Sequence, residues 1–291
     1  MGLYGTNGGE TNAIFYLDHH APGCLIGRPG LELKGVQDMT GKLTGKVALI
    51  TGASRGIGRA AALALAKEGA QVVVTARTKA DLDTLVKEVK ALKTGAKALA
   101  VPADLRKEKD VDKLKAKALA TFGQVDILVN NAGVGKAGTI ATLTTEDYDW
   151  MMDTNMRSTW LCTKAFFPAM VERQDGAVIF IGSVAGLMGI PGEALYNASK
   201  FAQMGFAQAL DYEAHQHNVR VSMIAPGGVH THFGFESGWR DPHDAKLKEF
   251  LDSEDVADAV VFAATQPPKG RIFMIGMRPM REALTPGAGK K

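Results

Sequence analysis

The sequence predicts one doubly wound α/β domain: a parallel sheet of about seven strands with helices on both faces. Three observations carry that expectation. Short β-branched runs alternate regularly with longer amphipathic stretches, most of the short runs are apolar on successive residues, and a glycine-rich turn joins the first run to an Ala-rich stretch. Unbroken apolarity is what a strand buried on both faces requires, whereas a half-solvated strand alternates. Strand, helix, strand in sequence implies right-handed crossovers with helices covering both faces. In such a sheet a ligand binds at the carboxyl ends of the strands, near the point where strand order reverses.

Along the chain, residues 1–44 are rich in Gly, Asn and polar side chains and have no helix or strand period, so a flexible extension is expected there. Its Asp18, His19, His20 and Cys24 lack a second ligand pair at a zinc-like spacing, and no metal site is expected. The domain itself is expected over 45–284. Strands are expected at 47–51, 72–75, 98–101, 127–130, 178–181, 219–224 and 272–275, each a compact apolar run. Helices are expected at 58–68, 80–92, 111–122, 148–171, 196–217 and 253–265, where apolar residues recur at helical spacing. Thr144 followed by Asp147 reads as a capping box opening the fourth of these. Residues 285–291 form a Gly/Pro/Lys tail, and no internal repeat is present.

A chain of 291 residues accommodates one α/β domain of this kind. The net charge of +3 is too small to argue for a nucleic-acid partner or an anionic membrane surface. No apolar run is long enough to span a bilayer. Two cysteines, Cys24 and Cys162, are too few for a disulfide framework, so a reducing, cytoplasmic setting is expected.

The first strand runs into Thr51-Gly52-Ala53-Ser54-Arg55-Gly56-Ile57-Gly58, and a helix follows at once. Glycines there let the backbone approach a pyrophosphate, and the helix N-terminus offers N–H groups and a positive dipole end. Gly58 permits close packing of helix on strand. The spacing Thr-Gly, three residues, Gly, one residue, Gly resembles the short-chain dehydrogenase/reductase family, whose domain is of the Rossmann type. The resemblance covers about residues 45–280. It is also carried by Asn130-Asn131-Ala132-Gly133 after the fourth strand, Asn155 in the next helix, Ser183 after the fifth strand, Tyr196-x-x-x-Lys200, and Pro226-Gly227 after the sixth.

That resemblance implies a carbonyl reductase type of enzyme, moving hydride between a nicotinamide and a carbonyl or secondary alcohol, and a homodimer or homotetramer. It implies cofactor contacts from Gly52, Ser54, Arg55, Gly56, Ile57 and Gly58, from Asn131, Ala132 and Gly133, and from Pro226, Gly227, Val229 and Thr231. Thr231 resembles a residue that bonds the cofactor carboxamide, and Asp104 one that contacts adenine; a helix-capping role for Asp104 stays open. NADP(H) is the expected cofactor. An acid at the end of the second strand would accept hydrogen bonds from the ribose of NAD and repel a 2′-phosphate. Here that strand ends Val74-Thr75-Ala76-Arg77, and Arg77 and Arg55 offer charged planar forks suited to phosphate.

Carbonyl reduction needs a hydride and a proton. Tyr196 and Lys200, at i and i+4, share one helix face, and a nearby ammonium lowers a phenol's pKa. By resemblance Tyr196 is the general acid/base, Ser183 polarises the substrate oxygen, Lys200 also bonds the nicotinamide ribose, and Asn155 kinks its helix and holds a water in a proton relay to the lysine. The segment 228–235 and Trp239 are expected to form a lid. Its aromatics wall an apolar pocket with Leu187, Met188 and Ile190, or else serve as core or dimer contacts. His230 and His232 are read as lid residues. The glycine-rich finish expected after the seventh strand is missing, which leaves substrate identity open. Two rival readings stand beside it: a redox-sensing regulator that binds NADP without chemistry, which would have lost Tyr196 or Lys200 where both are present, and an oligomeric scaffold using the same fold.

Overall fold

The computed structural model describes residues 41–281, so nearly all of the expected extension and the whole 285–291 tail lie outside the described residues. Seven strands form one parallel sheet: β1 (Val47–Thr51), β2 (Gln71–Ala76), β3 (Ala98–Pro102), β4 (Ile127–Asn130), β5 (Gly176–Ile181), β6 (Val219–Pro226) and β7 (Met274–Met277). Their spatial order is β3-β2-β1-β4-β5-β6-β7, so the switch point falls between β1 and β4. The sequence expectation of a Rossmann-type sheet is met.

Each central strand feeds two cores. Ala48 and Ile50 of β1 face helices α1 (Gly56–Lys67), α2 (Lys79–Ala91) and α7 (Ser253–Ala264). Val47 and Leu49 face α3 (Glu108–Phe122), α5 (Ser158–Arg173) and α6 (Ala194–Ala214). Fully buried side chains such as Leu49, Leu128 and Phe180 each contribute about 1.5–3 kcal/mol relative to exposure. The two edge strands depart from the two-sided burial expected of the set. Three of the five residues of β3, and most of β7, are half-buried because each has a neighbour on one side alone.

Two boundaries differ in ways that matter. The expected helix 148–171 is three segments: α4 (Thr145–Met152), a wide π turn over Asp153–Arg157, and α5. The capping box of Thr144 and Asp147 opens α4 as expected. The wide turn holds Asn155, whose side chain grips Val134 twice: Oδ1 accepts from its N–H at 2.7 Å and Nδ2 donates to its carbonyl at 2.9 Å. Apolar periodicity does not report one inserted residue per turn, so the sequence read straight through it. The last strand lies at Met274–Met277 and not at 272–275, because Met274 pairs with Met223 while the Ile272 carbonyl is taken by the Ser222 hydroxyl. Among the described residues no helix is long and apolar enough to cross a membrane.

Candidate active site

The loop after β1 is stitched to β4 from both sides. The Thr51 hydroxyl donates to the Val129 carbonyl and accepts from the N–H groups of Asn131 (2.9 Å) and Ala132 (3.0 Å). The Asn131 amide donates back to the carbonyls of Thr51 and Gly52. A Cβ at Gly58 would lie 2.5 Å from the Gly52 carbonyl oxygen, so only glycine lets α1 pack this closely on the loop. At the start of α1, Arg55 is the N-cap residue; no side chain caps the helix and no acid lies in its first turn. The positive end of the dipole is thereby left without a carboxylate of its own helix.

A cavity of about 540 Å³ runs from this terminus across the carboxyl ends of the sheet. Gly52, Ser54, Arg55, Gly56 and Ile57 line it at one end, and Arg77 and Asp104 at the ends of β2 and β3. Asn131, Ala132 and Gly133 line its floor, and Pro226, Gly227, Val229 and Thr231 its far wall after β6. Ser183, Tyr196 and Lys200 lie at the other end. Two expected site residues do not line it: Gly58, which packs α1 on the loop, and Asn155, which is fully buried behind Gly133 and Lys200.

At the basic end, Asp104 accepts two hydrogen bonds from Arg106, from Nε at 2.9 Å and from Nη2 at 2.8 Å. That bonding pulls its carboxyl down to about 2. Asp104 therefore faces a third cavity arginine that sequence reasoning had not singled out. Arg55 is ion-paired with Glu236 of the lid. Neither partner was legible as such: Arg106 reaches the site because β3 lies beside β2, and Glu236 because the lid folds back over α1.

At the opposite end, Ser183 follows β5, and its hydroxyl caps the short turn Val184–Gly186 by accepting from the Ala185 N–H at 3.1 Å. The same hydroxyl neighbours the Tyr196 phenol and favours its charged form, against the larger effect of burial. Asn197, also on α6, clamps this turn to the helix through the carbonyls of Ala185 (2.6 Å) and Met188 (2.7 Å) and the N–H of Ile190 (3.1 Å). Lys200 lies one turn on from Tyr196, its Nζ 5.8 Å from the phenol ring centroid, and donates to the Ile181 carbonyl and to Gln203. Burial governs both titrations: it pushes the Tyr196 phenol up to about 12 and the Lys200 ammonium down to about 8. Where a lowering by lysine was expected, burial dominates the phenol, with smaller influences from Ser183, Glu193 and Arg240.

The lid closes the cavity over Tyr196. Phe233 and Trp239 pack against its ring at centroid distances of 5.7 Å and 5.0 Å. Gly135 makes room for both, since a Cβ there would collide with their rings, and the Ser237 hydroxyl donates to the Gly135 carbonyl at 2.7 Å. Trp150 and Ile190 complete an apolar wall. Leu187 is 40% exposed and outside the cavity, and Met188 turns to Arg278, so of the three residues expected to join that wall only Ile190 does. His232 packs edge-on to Phe235. No cluster of three or more potential ligands for a metal ion exists among the described residues.

This arrangement matches known proteins over most of the chain. A 3-oxoacyl-[acyl-carrier-protein] reductase of Synechocystis sp. is 39% identical over 228 residues, 77% of this chain and 91% of the relative. The solved alcohol dehydrogenase of the archaeon Thermococcus sibiricus, complexed with 5-hydroxy-NADP, superposes with a TM-score of 0.75 at 30% identity, covering 82% of this chain and 98% of its own. A metagenomic short-chain oxidoreductase in complex with NADP gives a TM-score of 0.71 at 34% identity, covering 83% of this chain and 100% of its own. The family model for short chain dehydrogenase matches residues 46–238, from the start of β1 through the lid, so the nucleotide loop and the Ser183–Tyr196–Lys200 group lie inside one match and the chain belongs to the short chain dehydrogenase family.

Proposed function

We propose that the chain is an NADP(H)-dependent oxidoreductase acting on a carbonyl or secondary alcohol, with Tyr196 as general acid and base. The observation that carries this reading is a single cavity lined by Ser183, Tyr196 and Lys200 at one end and by an uncapped helix N-terminus with Arg55, Arg77 and Arg106 at the other. Those residues fit a dinucleotide phosphate. Ala76 ends β2 without a carboxylate, so nothing on that strand repels a 2′-phosphate, and arginine forks suit its oxygens. Solved relatives complexed with NADP or its 5-hydroxy analogue support the same choice.

The bound cofactor supplies the hydride. The loop Gly52–Gly58 and the α1 terminus would hold its phosphates, and Arg55 and Arg77 its 2′-phosphate. Tyr196 delivers the proton in reduction. Its buried phenol keeps that proton at neutral pH, as an acid must before it is needed. Ser183 polarises the carbonyl oxygen through its hydroxyl, and the lid excludes water while Trp150, Ile190, Phe233 and Trp239 take an apolar substrate body. In oxidation Tyr196 must first lose its proton, and Lys200 beside it favours the phenolate.

The test is to mix the purified chain with NADPH and cyclohexanone, acetophenone, ethyl acetoacetate and diacetyl, following NADPH loss and alcohol formation. Turnover of at least one ketone is expected. NADPH binding with no turnover of any ketone would overturn the reading in favour of a cofactor-binding regulator.

A further inference from the structure

We propose that Gln203 is a positioning residue for Lys200, tying its ammonium through the side-chain amide to the main-chain carbonyl of Asn155. The proposal rests on the assignment of Tyr196 and Lys200 under Proposed function. Gln203 lies three residues beyond Lys200 on α6 and is fully buried. Its Oε1 accepts from Lys200 Nζ at 2.9 Å. Its Nε2 donates to the Asn155 carbonyl at 2.8 Å and to Thr159 Oγ1 at 2.8 Å. Thr159 Oγ1 in turn donates to the same carbonyl at 2.6 Å. The carbonyl oxygen has two lone pairs, and two protein donors take them.

The orientation of the amide is fixed by its neighbours. Turned over, its NH₂ would face the ammonium and its oxygen would face the Asn155 carbonyl, two repulsive contacts in place of two attractive ones. Lys200 has three protons. One goes to the Ile181 carbonyl and one to Gln203, which aims the third into the cavity that Lys200 lines. An amide neither gives nor takes a proton near neutrality. The chain Lys200–Gln203–Asn155 is therefore a strut that fixes the ammonium.

Gln203→Met removes both functions at nearly equal volume. The ammonium then loses an acceptor, so it gives up its proton more readily. With the best ketone of the panel above, kcat/KM is expected to fall roughly ten- to hundredfold, as for loss of a buried hydrogen bond to a charge. Its basic pH limb should move down, with Tyr196 the titrating neighbour of Lys200. Fluorescence titration should show weaker NADPH binding. Gln203→Glu keeps an acceptor for Lys200 and loses the donor to Asn155; the basic limb should move back up while thermal stability falls. Tyr196→Phe is run alongside. If Tyr196→Phe is inactive while Gln203→Met keeps the parent pH profile and rate, Gln203 has no positioning role and the functional reading survives. If Gln203→Met does not fold, an unmoved basic limb in Gln203→Glu overturns the proposal just as well. If Tyr196→Phe is fully active, it is the reading of the site that fails.

Discussion

Glu236 of the lid is ion-paired with Arg55 at the start of α1, and the pair holds the glutamate carboxyl below its usual range, with smaller contributions from Arg77 and His232. An internal carboxylate thus lies among the arginines assigned to the 2′-phosphate. A bound phosphate group and Glu236 would compete for the same guanidinium. Both side chains are more than half exposed, at 51% and 63%, so the pair is worth only about 0–1 kcal/mol after screening. Glu236→Gln should therefore tighten NADPH modestly, by up to about fivefold, and leave NADH unchanged. Paired fluorescence titrations check this; equal changes for both cofactors would show that Glu236 acts on the lid and not on the phosphate.

Cofactor preference is expected to follow the arginines. kcat/KM should be higher with NADPH than with NADH, and Ala76→Asp should reverse or narrow the ratio, because the new carboxylate faces the position of the 2′-phosphate and offers an acceptor to a free ribose hydroxyl. Arg77→Ala should weaken NADPH alone. A parent enzyme that prefers NADH would overturn the assignment.

Fold and site were not equally legible in the sequence. The unbroken apolar runs of β1, β4 and β5 report burial on both faces directly, so the sheet could be read from them, whereas the strand order that sets the switch point came from the structure. Most of the expected residues that line the cavity could also be read, because they follow strand ends, while Tyr196 and Lys200 were legible as a pair at helical spacing on α6. What stayed hidden depends on contacts between distant segments. Glu236 reaches Arg55 across 181 residues. Asn155 widens its helix because it grips Val134, and no apolar period encodes that grip. Gln203 reads as one polar residue in an amphipathic helix until its three partners are seen. The sign of the Tyr196 shift also needed the structure, since Phe233 and Trp239, which help to bury the phenol, arrive from the lid.

Self-association is expected as a homodimer or homotetramer. Trp160 on α5 and Phe201 and Tyr212 on α6 are large side chains left exposed, at 43%, 45% and 58%. Sedimentation velocity at micromolar protein should show a species larger than a monomer, and Trp160→Asp with Phe201→Asp should shift it toward monomer. A parent chain that sediments only as monomer contradicts the expectation.

Stability should respond to pH through the two buried groups, with opposite signs. Lys200 falls from 10.5 to about 8 on folding, so between those values the unfolded chain binds more protons and stability rises with pH. Below about 8 the buried ammonium costs stability throughout, at most roughly 3 kcal/mol from that difference. Tyr196 rises from 10.0 to about 12, so the unfolded chain loses its proton first and stability falls with pH across that window. Denaturant unfolding of Lys200→Met should therefore show higher stability than the parent below pH about 8 and no rise between about 8 and 10. A parent profile flat through that range would mean that Lys200 titrates normally when folded.

Tyr196→Phe is the decisive substitution for the chemistry. It removes one hydroxyl and keeps the ring, so the packing with Phe233 and Trp239 should persist and the lid should stay closed. The Ser183 hydroxyl still caps its turn by accepting from Ala185. Folding and NADPH binding should survive, because neither depends on the lost proton. Positioned general acid catalysis is typically worth about 10²–10⁴-fold, and kcat should fall by that order. Lys200→Ala should differ in kind: it should weaken NADPH binding as well as turnover, because it removes the ammonium whose remaining N–H faces the cavity. Ser183→Ala should lower kcat and leave NADPH affinity near the parent value. The three phenotypes separate a proton donor, a cofactor-facing cation and a carbonyl-polarising hydroxyl. A Tyr196→Phe enzyme that turned over its best ketone at the parent rate would require a different acid, and in this cavity the remaining hydroxyl beside the phenol is that of Ser183.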